Sequence, residues 1–182
     1  MDKPTTSLLV LGLTAMSAFS ILFATNIITQ PILETRENQR YLDLLNIDSL
    51  ADYQVGEAIV PTGDLFTAGI LEVKPFFQDN VLIAVAYTGV TNGYAPGLSY
   101  RLGIKEGLIT NFIIDQHGES AGYGADVLLS VPEVLSGVTI NEESLWTASL
   151  VSISTGSSIT RRSIVNVLKA IRLDYLQRVD VE

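Results

Sequence analysis

With 182 residues, the chain has room for one ordinary globular domain and a small extra element. Its formal net charge of −9 argues against general nucleic-acid binding, which depends on neutralising phosphates with a basic face. The absence of cysteine excludes structural disulfides, cysteine-ligated iron–sulfur clusters and thiol catalysis.

The charge is uneven along the chain. Between Tyr41 and Leu150 the only basic residues are Lys74, Arg101 and Lys105, whereas the C-terminal stretch carries Arg161, Arg162, Lys169, Arg172 and Arg178. The tail is the one basic patch.

No charged residue lies between Pro4 and Leu33, and 8–28 ("LLVLGLTAMSAFSILFATNII") is mostly apolar. About 20 such residues cross a hydrocarbon core of roughly 30 Å, so this stretch is expected to be one transmembrane helix, with 1–33 as a membrane anchor. A cleaved signal peptide is the rival, because Ala15, Ser17, Ala18 and Ala24 are small. Against it, the n-region holds only Lys3 beside Asp2, and the apolar run exceeds the usual h-region of about 7–15 residues. Lys3 flanks one end and Arg36 and Arg40 the other, so charge does not choose an orientation.

Pro31 is expected to end the membrane segment. A helical stalk over 34–52 follows, with Leu42, Leu45 and Leu50 as its apolar stripe. After Asp52 the character turns to β. Residues 81–90 ("VLIAVAYTGV") are β-branched and apolar, and "LSYRLGI" and "LITNFIID" flank the turn "KEG" as a hairpin with Gly107 at the positive-φ position. The segment 117–126 ("HGESAGYGAD") is too rich in glycine for a strand interior, and 128–140 is a short mixed segment. A closing helix is expected over 160–179, with Ile164, Leu168, Ile171, Tyr175 and Val179 spaced along one face. The expected fold is α+β: a single N-terminal transmembrane helix, then one domain over 53–182 with a mainly antiparallel sheet and a C-terminal helix.

Gly156, Ser157 and Ser158 precede that helix, where free backbone N–H groups can hold an anion, and Arg161 and Arg162 supply countercharge. Two arginines in a first turn, where the macrodipole is already positive, suit a negative ligand. Ordinary N-capping by Ser157 or Ser158 is the alternative, and both stand open. The Lys-Ser/Thr pair of a Walker loop is absent.

"STGSSITRRSIVNVLKAI" resembles the flavinylation motif "SGAT-x-TS" of the FMN-binding domain family. That family includes the G subunit of Rnf-type electron transport complexes and the C subunit of sodium-translocating NADH:quinone reductases. Aligned on the glycine, Thr155 takes the first hydroxyl position, Gly156 the glycine, Ser157 the alanine and Ser158 the flavin-bearing threonine, and Ile159 and Thr160 continue the match. Ser152 stands where the family usually has an acidic residue. "QHGESAGYGAD" is similar to the family's "H-x-ETPGLG" loop beside the flavin ring: His117, Glu119, Gly122 and Gly124 match, Ser120 replaces threonine, and Ala121 and Tyr123 replace proline and leucine. "NGYAPGLSYRLGIKEGLITNFIID" resembles the strand–turn–strand before that loop, and "NIITQPIL" the family's "T-x-P-I" exit from the bilayer.

The resemblance implies FMN held by a phosphoester on Ser158, its phosphate balanced by Arg161 and Arg162, with the 117–124 loop bordering the isoalloxazine. Tyr94 and Tyr123 are open to stacking on a flavin or to half-buried packing. The implied function is a membrane-anchored electron carrier, with no stand-alone reaction, inside an ion-translocating ferredoxin:NAD or NADH:quinone oxidoreductase. Its partners would be the other membrane and redox subunits and a flavin transferase. Its place would be the inner (cytoplasmic) membrane, with the soluble domain outside the cytoplasm. The alternative is a flavin-free structural, assembly or anion-binding subunit on the same scaffold. No metal is expected, because His117 is the one histidine and Asp115, Glu119 and Asp126 do not follow an EF-hand.

Overall fold

The computed structural model describes residues 3–153 and 157–179. The chain divides into two units, Met1–Arg40 and Tyr41–Glu182.

The described residues of the first unit lie within helix α1 (Lys3–Leu45). The helix continues through Pro31, so the boundary expected there between a membrane segment and a helical stalk does not break it, although a proline costs one backbone hydrogen bond and a clash with the preceding turn. Ser17 Oγ donates to the Thr14 carbonyl at 2.9 Å and Ser20 Oγ to the Met16 carbonyl at 2.8 Å. Phe19 and Phe23, one turn apart, stack with ring centroids 6.3 Å apart.

Among the described residues, no helix is long and apolar enough to cross a membrane. The expected transmembrane anchor is corrected on that finding. Hydroxyls at Thr14, Ser17, Ser20 and Thr25 interrupt the apolar positions of its described stretch.

The α+β part of the expectation is met in the second unit. Strands β1 (Gln54–Val55), β2 (Ile70–Gln78), β3 (Val81–Thr91), β4 (Leu98–Lys105) and β5 (Leu108–Gln116) form one antiparallel sheet in sequential order. The short helix α2 (Gly63–Thr67) precedes β2, while α3 (Gly124–Leu135), α4 (Glu143–Ser152) and α5 (Ser158–Val179) follow β5. The β4–β5 turn has φ of 52° at Glu106 and 78° at Gly107, the paired positive values that match a tight turn to strand twist. The β2–β3 turn repeats this at Asp79 and Asn80, short polar side chains that tolerate the left-handed region.

Alternation along β3 sends Val85 and Tyr87 to one face of the sheet and Ala84 and Ala86 to the other. The first face carries the main core, where Tyr87, Tyr100 and Phe112 meet Trp146 of α4 and Ile164, Leu168 and Ile171 of α5. The second face is covered by the last turn of α1, with Tyr41, Leu44 and Leu45 over Phe76, Ala84 and Ala86. Ile164, Leu168, Ile171 and Tyr175 are buried as their spacing predicts, joined by Thr160 and Val167, while Val179 is exposed. Two hydrogen bonds fix α5 along β3: Thr91 Oγ1 with Ser163 Oγ at 2.8 Å, and the Tyr87 hydroxyl donating to Asp174 at 2.8 Å. The start of α5 is thereby held at the end of β3 that leads into the 92–97 connection.

Candidate functional site

Three segments meet at one end of the main core. The first is the β3–β4 connection, 92–97. Gly97, at φ 81°, donates its N–H to Asn92 Oδ1 at 3.2 Å, and Gly93 N–H reaches the Ala95 carbonyl at 3.1 Å, so the loop folds back on itself. The second is the loop after β5. Gly122, at φ 80°, donates its N–H to Asp126 Oδ1 at 3.1 Å, and the Tyr123 and Ala125 N–H groups each reach the Ser120 carbonyl at 3.3 Å. Only glycine enters that backbone region cheaply, so Gly122 turns the chain into α3.

The third segment is the start of α5. Ser157 Oγ accepts the Thr160 N–H at 3.4 Å, so Ser157 is the N-cap and Ser158 the first helical residue. Ser158 and Ile159 are exposed, whereas Thr160 is fully buried and its Oγ1 accepts the Tyr94 N–H at 3.4 Å.

Between these segments lies a cleft of about 620 Å³ lined by Tyr94, Glu119, Ser120, Tyr123, Ser157, Ser158 and Ile159. Tyr94 and Tyr123 are 73% and 68% exposed, so neither ring is spent on half-buried packing. Glu119 is buried; its Oε1 accepts the Ala95 N–H at 3.1 Å, and its Oε2 has no hydrogen-bond partner among the described residues. Gly124 is buried against that carboxyl.

The arginines divide their roles. Arg161 Nη2 donates to the Ile153 carbonyl at 2.6 Å, joining the end of α4 to the start of α5, and its buried Nε has no partner among the described residues. Arg162 is exposed. His117 is exposed at the start of its loop and is not among the residues lining the cleft. Thr155 and Gly156 lie outside the described residues. No group of three or more potential metal ligands occurs among the described residues.

No protein-family model matches the chain, and no curated protein matches it significantly.

Sequence reasoning found Tyr94 but not the loop that carries it. The signals were the Asn92-Gly93 and Pro96-Gly97 pairs, ordinary turn markers that do not by themselves announce a binding wall. The part played by Ala95, whose N–H fastens Glu119, has no side-chain signal at all.

Proposed function

We propose that this chain is a flavoprotein electron carrier that bears FMN through a phosphoester on Ser158. It works within an ion-translocating oxidoreductase of the Rnf type, or the related NADH:quinone reductase. The observation that carries this reading is convergence: the Glu119–Tyr123 stretch and the Ser157–Ile159 stretch, far apart in sequence, line the same cleft.

The residues fit the group. The cleft lies within the roughly 300–1,000 Å³ typical of small-molecule and cofactor sites. Two exposed tyrosine rings offer faces to a planar heterocycle. At the start of α5, first-turn backbone N–H groups lack intrahelical acceptors and suit an anion, and Arg162 adds an exposed positive charge.

Ser158 presents its hydroxyl to the transferase at an exposed first-turn position. In the attachment step Ser158 Oγ gives up its proton to a base of the transferase and forms the Oγ–P bond. The phosphorus comes from an activated flavin dinucleotide, whose pyrophosphate P–O bond breaks as the nucleoside monophosphate leaves. The net gain on the chain is FMN minus water. Once bound, the flavin accepts and passes electrons; the chain supplies position and electrostatics. Ser157 holds the helix start in shape, Arg161 braces it from behind, and the tyrosines flank the ring. The folded unit is proposed to work on the outer side of the cytoplasmic membrane, in contact with the other redox subunits.

Two contacts favour a second reading, a flavin-free assembly or anion-binding subunit: the Ser157 hydroxyl is engaged in capping, and Arg161 Nη2 in holding Ile153. Intact mass of the protein from its native host, with peptide mapping and a Ser158→Ala control, separates the two. A gain of one FMN minus water on Ser158, lost in the variant, supports the electron carrier. An unmodified chain from cells with a working flavin transferase supports the flavin-free subunit.

A further inference from the structure

The Glu119 carboxyl sits between two glycines from different segments. A Cβ added at Gly93 would run into Oε1 and lie 3.2 Å from Thr160 Cγ2. One added at Gly124 would run into Oε2 and lie 2.8 Å from Thr160 Oγ1. Neither glycine has a positive φ, unlike Gly97 and Gly122 in the same loops. Glycine at 93 and 124 is therefore required for space, and the space is taken by the carboxyl.

The three residues around the carboxyl stand next to three that line the cleft. Gly93 precedes Tyr94, Gly124 follows Tyr123, and Thr160 follows Ile159. Tyr94 and Thr160 are further joined by the N–H to Oγ1 bond, and Ala95 by its N–H to Oε1. Burying a carboxyl with one oxygen that has no partner among the described residues costs free energy, so a chain that carries one has a use for it there.

We propose that Glu119 is the positioning residue of the cleft: its buried carboxyl spaces the Tyr94 loop, the Tyr123 loop and the first turn of α5 so that the cleft admits a planar aromatic ring. Shortening the side chain by one methylene withdraws the carboxyl from Gly93 and Gly124 and lets the walls close. Replacement by glutamine keeps the length and the acceptor for Ala95. Only the ligand part of this inference rests on the flavin reading.

The test therefore has two arms, both on the full chain. In the ligand-free arm, amide hydrogen exchange is followed at Tyr94 and Ala95 in wild type, Glu119→Ala and Glu119→Gln. Protection lost at both amides in the alanine variant and restored in the glutamine variant, with the sheet amides unchanged, supports the proposal; equal protection in all three overturns it. The same arm compares Gly93→Ala alone and with Glu119→Ala. A smaller loss of stability from Gly93→Ala when the carboxyl is absent is expected, and simple additivity counts against the proposal.

In the second arm, free FMN is titrated into Ser158→Ala, which cannot be modified, and binding is read by quenching of flavin fluorescence. Added Glu119→Gln is expected to leave affinity near that of Ser158→Ala, and added Glu119→Asp to weaken it by at least about tenfold at an unchanged melting temperature. Affinity unchanged by aspartate, or lost only in step with melting temperature, overturns the positioning role. If FMN does not bind Ser158→Ala at all, the flavin reading loses its support while the exchange arm still decides the role of Glu119.

Discussion

Ser157 and Thr160 close the first turn of α5 on each other, the Ser157 hydroxyl accepting the Thr160 N–H at 3.4 Å, with the exposed Ser158 between them. Adjacent serines thus have different duties, and substitution separates them. Ser157→Ala removes a cap and is expected to lower stability by about 1 kcal/mol while leaving Ser158 modifiable. Ser158→Ala removes an exposed hydroxyl and is expected to stay within about 0.5 kcal/mol of wild type while abolishing the mass gain. Chemical denaturation and intact mass on the same preparations check both.

The neighbouring arginines divide in the same way. Arg161 Nη2 reaches the Ile153 carbonyl at 2.6 Å, and its Nε is buried. Arg161→Ala removes a charge-assisted hydrogen bond and is expected to cost about 1.5–3 kcal/mol. Arg162 is exposed, so Arg162→Ala is expected to leave the denaturation midpoint in place and slow phosphoester formation on Ser158. Denaturation curves and timed mass spectra with the transferase distinguish them; an Arg161→Ala protein as stable as wild type would remove its bracing role.

Much of this site was legible where a single local rule decided the outcome. Gly107 had to take a positive φ between two alternating strands, and the buried face of α5 followed from 3.6-residue spacing at Ile164, Leu168 and Ile171. Strand β2 was not legible, because Glu72, Lys74 and Pro75 break its apolar run; only pairing with β3 reveals it. The glycine-rich stretch after His117 read as loop throughout, yet α3 begins at Gly124, a glycine placed by the bulk of Glu119 rather than by the backbone. Apolar content dominated the reading of the N-terminus, and neither the unbroken passage of α1 through Pro31 nor the hydroxyls along its described face follow from that count.

Alkaline pH should loosen the main core from inside. Tyr87 is fully buried and its phenol is pushed well above the ordinary value of 10.0, first by burial and then by the charge and hydrogen bond of Asp174, with Arg178 opposing. Burial alone raises Tyr100, whose hydroxyl has no partner among the described residues. A phenol whose folded pKa lies above its unfolded value holds its proton more tightly in the native state. Its stabilising contribution is complete below about pH 10 and is lost as pH climbs toward the folded value, with a limiting slope near 1.4 kcal/mol per pH unit per phenol. Denaturation midpoints measured from pH 8 to 11 should fall above pH 10, and Tyr100→Phe should flatten that fall. A fall of equal steepness in Tyr100→Phe would show that Tyr100 is not responsible.

The opposite face of the sheet offers a test of stability that should leave the site alone. A Cβ at Gly103 would strike the Leu44 carbonyl and lie 2.6 Å from Thr110 Oγ1, and Gly103 has no positive φ, so the penalty is steric. The Leu44 carbonyl is also the acceptor of the Thr110 hydroxyl at 2.7 Å, which pins the last turn of α1 to the sheet. Backbone cannot swing aside as a side-chain tip can, so Gly103→Ala is expected to cost about 1–3 kcal/mol by lifting Tyr41, Leu44 and Leu45 from Phe76 and Ala84. Thr110→Val removes the hydroxyl without adding bulk on Gly103, and a loss of about 0.5–1.5 kcal/mol is expected. Because α5 packs on the other face, both variants, at temperatures where they remain folded, should accept the modification on Ser158 at the wild-type rate. Slowed modification in a folded Gly103→Ala protein would show that the two faces of the sheet are coupled, and that the cleft depends on the helix end that covers the far side.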